Sequence, residues 1–453
     1  MKRNVKKFLA AFIVAVLLIA QLPMLVHAAD YSDISGHWAE KVIKKWSDLG
    51  ILVGNNGMFR PDDSITRAEF VAILNRVMRY TQTMENTFSD LQKGKWYYDD
   101  VIKVAAVGVL RGYEGKAHPE DNITREEAVT LIARAFSFDI PITGTTNFAD
   151  DADISTWAKG ACALMASRGY IKGYGGYFYP KKNLTRAEAI QILDNMVKLL
   201  VKDLEEYSGN IDGNVVVNIS GAVLKNIVIS GNLYLSEGID RGGVTLINVT
   251  VKGSIIIKDK TVGYVNMNDS NISSIIIMNQ DKEVKIVSEG SSEILFAEIS
   301  GNVVLDGNYK EVVILGDINA VINGAIDILI VEEGGANVIN NGEIDSANMN
   351  AIASMENNGK INNLHVNKRS TIKGKGKITT AYIAEGGADS DFETEPDNIK
   401  LAEGISITAA GKTITKSKIS GGIPTGGTPG GGYYENPVVF YDITNSAVPS
   451  VLR

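Results

Sequence analysis

The chain has 453 residues, a formal net charge of −8, 45% hydrophobic residues and a single cysteine. That length implies more than one domain, the lone Cys162 excludes an internal disulfide, and the acidic surplus argues against a nucleic-acid partner. Without the four N-terminal cations the formal charge is about −12, as −8 − 4, so long-range attraction does not bring this chain to an anionic polymer.

The four cations are Lys2, Arg3, Lys6 and Lys7, and they precede an apolar run from Phe8 to Ala20 that ends in small residues at Ala28. The run is too short for a comfortable membrane span, so residues 1–28 read as a secretory signal peptide cut after Ala28. No later segment has the pattern of a membrane helix. The mature chain is therefore expected to be exported, with no stable membrane insertion.

Three repeats follow. Ile65-Thr66-Arg67-Ala68-Glu69, Ile123-Thr124-Arg125-Glu126-Glu127 and Leu184-Thr185-Arg186-Ala187-Glu188 are copies of one phrase. Each closes a unit that opens on an aromatic-x-Asp step at Asp33, Asp90 or Asp150 and continues through Trp38, Trp96 or Trp157. Each unit then reaches a turn glycine, Gly54, Gly112 or Gly173, and a proline five residues before the threonine. Repetition at this spacing is the strongest guide to the fold. Thr followed three residues later by Glu, with an apolar run after it, is a capping box that starts a helix. Phe70, Val71, Ile73, Leu74 and Val77 put a core stripe on the first such helix, and Val42, Ile43, Trp46 and Leu49 do so on the helix before it. Each unit thus reads as helix, loop, helix.

The threonines and glutamates have a sufficient role as caps, but the recurring arginine does not, because the helix dipole disfavours a cation at the first position. A guanidinium beside free helix-start amides would hold a carboxylate or phosphate. Pairing with a nearby aspartate is the other reading. The tryptophans either stack on a sugar ring or pack in the core.

At these residues the chain resembles the S-layer homology domain family, from about Tyr31 to Leu199. The resemblance implies an all-α, pseudo-threefold bundle whose grooves hold the secondary cell wall polysaccharide of Gram-positive bacteria, often a pyruvylated glycan, without a covalent link. Carried over, the groove residues would be Arg67, Arg125 and Arg186, with Asp33, Asp90, Asp150, Trp38, Trp96, Trp157, Gly54, Gly112 and Gly173. It implies a location in the cell wall or S-layer, with self-association in an S-layer as a further option. The second unit departs from the others: Glu126 adds a negative charge beside Arg125, and Ala117 stands where the others have Phe59 and Phe178.

The expected boundaries are 29–84, 85–144 and 145–203 for the repeats and 204–213 for a linker. From Lys181 to Glu395 there is no proline, and β-branched runs such as 215–217, 227–229, 244–247, 255–257, 275–277, 312–315 and 326–331 recur between Gly, Asn, Ser and Asp. That is strand and turn language. Residues 214–418 therefore read as an all-β parallel β-helix or solenoid with rungs of roughly 20 residues. An antiparallel sandwich is the alternative. Residues 419–453 begin with a Gly/Pro-rich stretch and read as a low-complexity, disordered tail.

No metal motif, nucleophile elbow or phosphate loop appears, so no catalytic residue, metal ligand or cofactor is assigned. The expectation is a non-enzymatic surface protein that displays a solenoid spacer. The alternatives are an S-layer lattice subunit and a wall-anchored, polysaccharide-degrading β-helix enzyme.

Overall fold

The computed structural model describes residues 31–258, 262–278 and 282–416. The expected signal peptide and the tail from residue 419 lie outside them. Among the described residues six α-helices come first: α1 (Glu40–Asp48), α2 (Arg67–Met78), α3 (Tyr98–Ala106), α4 (Arg125–Ala135), α5 (Thr156–Ser167) and α6 (Arg186–Met196). The capping box forms at Thr66, Thr124 and Thr185, each hydroxyl accepting from the glutamate amide while the glutamate accepts from the threonine amide. Each unit is helix, loop, helix, as its pattern requires. The first helix of one repeat packs on the second helix of the preceding repeat: α3 on α2, α5 on α4 and, closing the circle, α1 on α6.

The closure is visible in the backbone. Ile65 N–H donates to Leu184 C=O at 3.0 Å, Leu184 N–H to Ile123 C=O at 2.9 Å, and Ile123 N–H to Ile65 C=O at 3.1 Å. All three side chains are fully buried. They form a pseudo-threefold axis around which the six helices are arranged. Repetition in sequence thereby becomes a ring in space.

Helix α6 runs directly into β1 (Val197–Val201), which pairs in parallel with β3 (Asn214–Val217). From there the chain coils into a three-faced solenoid. One face stacks β1, β3, β5 (Leu233–Leu235), the end of β6 (Gly243–Ile257), the end of β8 (Asn271–Ile277), and then β10 (Glu293–Ile299), β12 (Asn308–Ile314), β14 (Ala325–Val331), β16 (Glu343–Met349), β18 (Lys360–Val366), β20 (Lys377–Ile383) and β22 (Asn398–Leu401), about twelve turns. The pairings are parallel except for the last hairpin, β23 (Ser406–Ala409) with β24 (Lys412–Thr415). This excludes the sandwich. The stretch 204–213, expected as a linker, contains β2 (Tyr207–Ile211) paired with β4 (Ala222–Ile229), so the solenoid begins earlier than its composition suggested.

Inward positions carry Val, Ile, Leu and Met, one continuous core from Val201 to Ala409. Outside it, asparagines stack along the axis: Asn358 Nδ2 donates to Asn341 and Asn341 to Asn323, at 3.2 and 3.0 Å. Such ladders satisfy side-chain amides rung by rung and fix the register between turns. The asparagine-rich composition has this cause.

The helical bundle lies against the first rungs. Val216, Tyr234 and Ile256, the outward residues of one face, belong to the bundle's own core, and Tyr234 meets Phe136 edge to face. Glu237, fully buried, accepts from the Thr81 and Gln82 amides at 2.5 and 3.1 Å and from their side chains at 3.0 and 2.6 Å. Asn218 donates to Val77 C=O at 2.8 Å. A carboxylate with four donors holds the two parts together. Glu237→Ala leaves two part-buried backbone amides and two side-chain donors without their acceptor and should lower stability by about 2–3 kcal/mol, measured by urea unfolding of the mature chain. An unchanged midpoint would show that the junction does not depend on this residue.

Candidate functional site

The three recurring arginines are 7–8% exposed, and each reaches into the next repeat around the ring. Arg67 donates through Nε to Ala117 C=O at 3.2 Å and through Nη1 to Glu127 at 2.8 Å. Arg125 does the same to Phe178 C=O and Glu188, at 2.8 and 3.0 Å, and Arg186 to Phe59 C=O and Glu69, at 2.9 and 2.7 Å. The glutamates they grip are the capping-box glutamates. One residue pair thus caps a helix and clasps two repeats, in a closed cycle of three.

The helix-start amides, expected to be free for a ligand, are already occupied. Arg67 N–H donates to Asp121 C=O and Ala68 N–H to Pro119 C=O, both at 2.9 Å, and the other two repeats do the same. Ring closure supplies these acceptors, a constraint invisible in any single unit. The arginines therefore build the site before they bind anything in it. Burial lowers the pKa of Arg125 and of Arg186, offset in part by Glu188 and Glu69. Both stay cationic at neutral pH.

Asp33, Asp90 and Asp150 also face the protein. Each carboxylate accepts two consecutive backbone amides: Phe59 and Arg60, Ala117 and His118, or Phe178 and Tyr179, at 2.6–2.9 Å. The second residue of each pair precedes the proline and has φ between 52° and 59°. Left-handed backbone is costly for a non-glycine residue, and the aspartate holds it in place. Burial alone would push the Asp33 and Asp90 carboxyls up, but their amide bonds outweigh it and both pKa values lie below the usual range. Gly54, Gly112 and Gly173 pack where a Cβ would fall within 2.3–2.8 Å of a ring carbon of Tyr31, Phe88 or Phe148.

The tryptophans are the exception. Trp38, Trp96 and Trp157 are 60%, 60% and 54% exposed, so core packing is not their role. Trp46, which carries the core position of α1, is fully buried with its indole donating to Asp194 at 3.1 Å. A groove of about 890 Å³ brings together Trp38 of the first repeat, Arg125 of the second, and Lys172, Gly173, Tyr174 and Tyr179 of the third. A groove therefore mixes three repeats, whereas the sequence groups an arginine with the tryptophan of its own unit. Arg125 Nη2 also donates to Lys172 C=O at 3.3 Å, which fixes the turn beside it.

Lys172, Tyr174 and Tyr179 were missed because comparison of the units shows what recurs. At the position of Lys172 the other repeats have Val53 and Arg111, and at that of Tyr174 they have Asn55 and Tyr113. Glu126 does not stand against Arg125: it is buried and accepts from Ser155 N–H at 2.9 Å and Lys181 at 2.5 Å. Ala117 has a real effect, since the Arg186 and Arg125 guanidiniums lie over the rings of Phe59 and Phe178, at 4.7 and 5.3 Å, and Arg67 has no ring there.

Residues 30–71, 87–129 and 147–190 match the model of the S-layer homology domain. The chain is 34% identical over 188 residues to an amylopullulanase of Thermoanaerobacterium thermosulfurigenes, covering 40% of this chain and 10% of that protein. It is 28% identical over 195 residues to the S-layer protein sap of Bacillus anthracis, covering 42% and 24%. It is 24% identical over 403 residues to an S-layer protein of Bacillus licheniformis, covering 77% and 45%. The chain spans less than half the length of these relatives. It carries three S-layer homology domains, which imply cell-wall anchoring and place it at the cell wall or surface; among the described residues no helix is long and apolar enough to cross a membrane.

Breaking one clasp leaves a partly buried glutamate unpaired, so Arg125→Ala and Arg186→Ala should each cost about 3 kcal/mol in urea unfolding. Arg67→Ala should cost about 1 kcal/mol less, because it loses no cation–π contact. Equal losses would show that the rings contribute nothing. The depressed Asp33 and Asp90 values give a second expectation with a definite sign. Their contribution is fully present above the unfolded value of about 3.9 and is lost as pH falls through and below it. The melting temperature should therefore drop between pH 5 and 3, and less in Asp33→Asn.

Proposed function

We propose that the mature chain is held non-covalently on the cell wall by a pyruvylated secondary cell wall polysaccharide bound in the inter-repeat grooves, and that the solenoid is a spacer or display unit. The observation that carries this reading is the Trp38 groove. An exposed indole face suits the apolar CH face of a sugar, and Arg125 and Lys172 in the same groove suit a carboxylate ketal-linked to that sugar. Tyr174 and Tyr179 supply further flat surface and hydroxyls to fix orientation. Related grooves on one rigid ring gain from effective concentration along a repeating polymer, so modest single sites give firm attachment.

The solenoid carries about twelve rungs at roughly 4.8 Å each, so it extends on the order of 50 Å from the wall-binding end. Its stacked ladders make it a stiff spacer. A second reading, a lattice-forming subunit, has one observation in its favour: the alignment with the Bacillus licheniformis S-layer protein runs over 77% of this chain and so into the solenoid. Ordered sheets formed by the purified chain without wall material would favour that reading; a chain that stays dispersed would favour the spacer.

The anchoring reading is tested by sedimenting residues 29–453 with purified Gram-positive walls before and after chemical removal of pyruvate. Depyruvylation should weaken binding at least tenfold, and Trp38→Ala and Lys172→Ala should each weaken it several-fold with the unfolding midpoint unchanged. Binding that is indifferent to all three changes would overturn the reading.

A further inference from the structure

A solenoid buries each rung under the next, so its last rung needs a cover. The inward residues of β20, Ile378, Ala381 and Ile383, are 5%, 0% and 1% exposed. In β22, Ile399 and Leu401 stand beside Ala381 and Ile383 in register, yet both are only part-buried. Ile405 and Ile414 are part-buried as well, packed on the same core. These four aliphatic side chains leave the end of the core open. The backbone is open there too: among the described residues β22 pairs only with β20, and β24 only with β23. A strand edge with nothing beside it is a template for another strand.

The sequence supplies a segment suited to this end. After β24 it passes through the Gly/Pro-rich stretch 421–432 and reaches Pro437-Val438-Val439-Phe440-Tyr441-Asp442-Ile443. A run of β-branched and aromatic residues has strand propensity. Twenty-one residues separate Lys416 from Val438. A flexible linker of that length spans about 25 Å on average, against roughly 20 Å for one face of the solenoid. Tethered in this way, the run is present at an effective concentration on the order of millimolar, well above that of a second copy in dilute solution. Charge favours the same occupant. Lys412 and Lys416 flank β24 and are exposed, so two such edges paired antiparallel would bring lysines together, whereas Glu435 and Asp442 flank the run. Lys412 is 3.7 Å from Glu395, and Lys416 has no ion pair among the described residues.

We infer that the run Val438 to Ile443 folds back over the end of the solenoid, laying its apolar side chains on Ile399, Leu401, Ile405 and Ile414 with its backbone on the free edge of β24. The tail is then the cap of the solenoid, and the Gly/Pro-rich stretch is the hinge that lets it turn back. Capping buries the last of the core and removes an edge on which other chains could pair. The cap acts at the end opposite the helical bundle and does not depend on what the grooves bind.

The test is hydrogen–deuterium exchange of the mature chain, residues 29–453, read by mass spectrometry. The amides of 438–443 should exchange at least tenfold more slowly than in a free peptide of residues 433–445, and this protection should survive a hundredfold dilution of the protein. Val438→Asp with Phe440→Asp should abolish it and speed exchange of 398–416 at least tenfold, with 360–383 unchanged. Tyr433→Asp with Tyr434→Asp, outside the run, should do neither, and an equal effect from that pair would overturn the assignment. If the first double variant does not fold, the wild-type protection and its dilution series decide alone. Exchange of 438–443 at the free-peptide rate overturns the cap. Protection that disappears on dilution overturns it as well, because a second copy then covers the end.

Discussion

The structure depends on one closed cycle. Three buried aliphatic residues, Ile65, Ile123 and Leu184, pass backbone hydrogen bonds around a pseudo-threefold axis, and three arginines repeat the circuit with side chains. Each guanidinium grips the glutamate that caps the next helix, so helix initiation and ring closure share one residue. A single unit is short of both acceptors and core, because the amides at its helix start are satisfied by carbonyls of a neighbour. Three units are required for any one of them to be complete.

This constraint explains which residues were legible in the sequence. The capping boxes and the helix pairs could be read from periodicity, because local propensity and tertiary structure agree there. The parallel solenoid was legible from its β-branched runs and its lack of proline, and asparagine ladders explain the composition. The roles of Arg67, Arg125, Asp33 and Gly54 were not legible. Recurrence marks a residue as necessary, and within one unit necessity for binding looks the same as necessity for closure. In the structure the arginines, aspartates and glycines hold the ring and its left-handed turns, and Arg125 and Gly173 also line the groove, which exposed Trp38, Lys172, Tyr174 and Tyr179 complete.

The junction of bundle and solenoid was legible in neither half. Val216, Tyr234 and Ile256 look like ordinary outward strand residues, yet they complete the helical core. Glu237 reads as a turn acid and proves to be a buried acceptor for four donors. A rigid junction has a mechanical consequence. Load on the solenoid passes to the helical ring through a packed core, and the groove geometry is set with the solenoid in place.

The central claim is that a closed three-repeat ring presents sugar-binding grooves made of one part from each repeat. Its most direct test is a crystal structure of the mature chain with a pyruvylated disaccharide. The account predicts a sugar ring on the face of Trp38 with its carboxylate toward Arg125 and Lys172. A disaccharide bound elsewhere on the chain, with the grooves between the repeats empty, would contradict it.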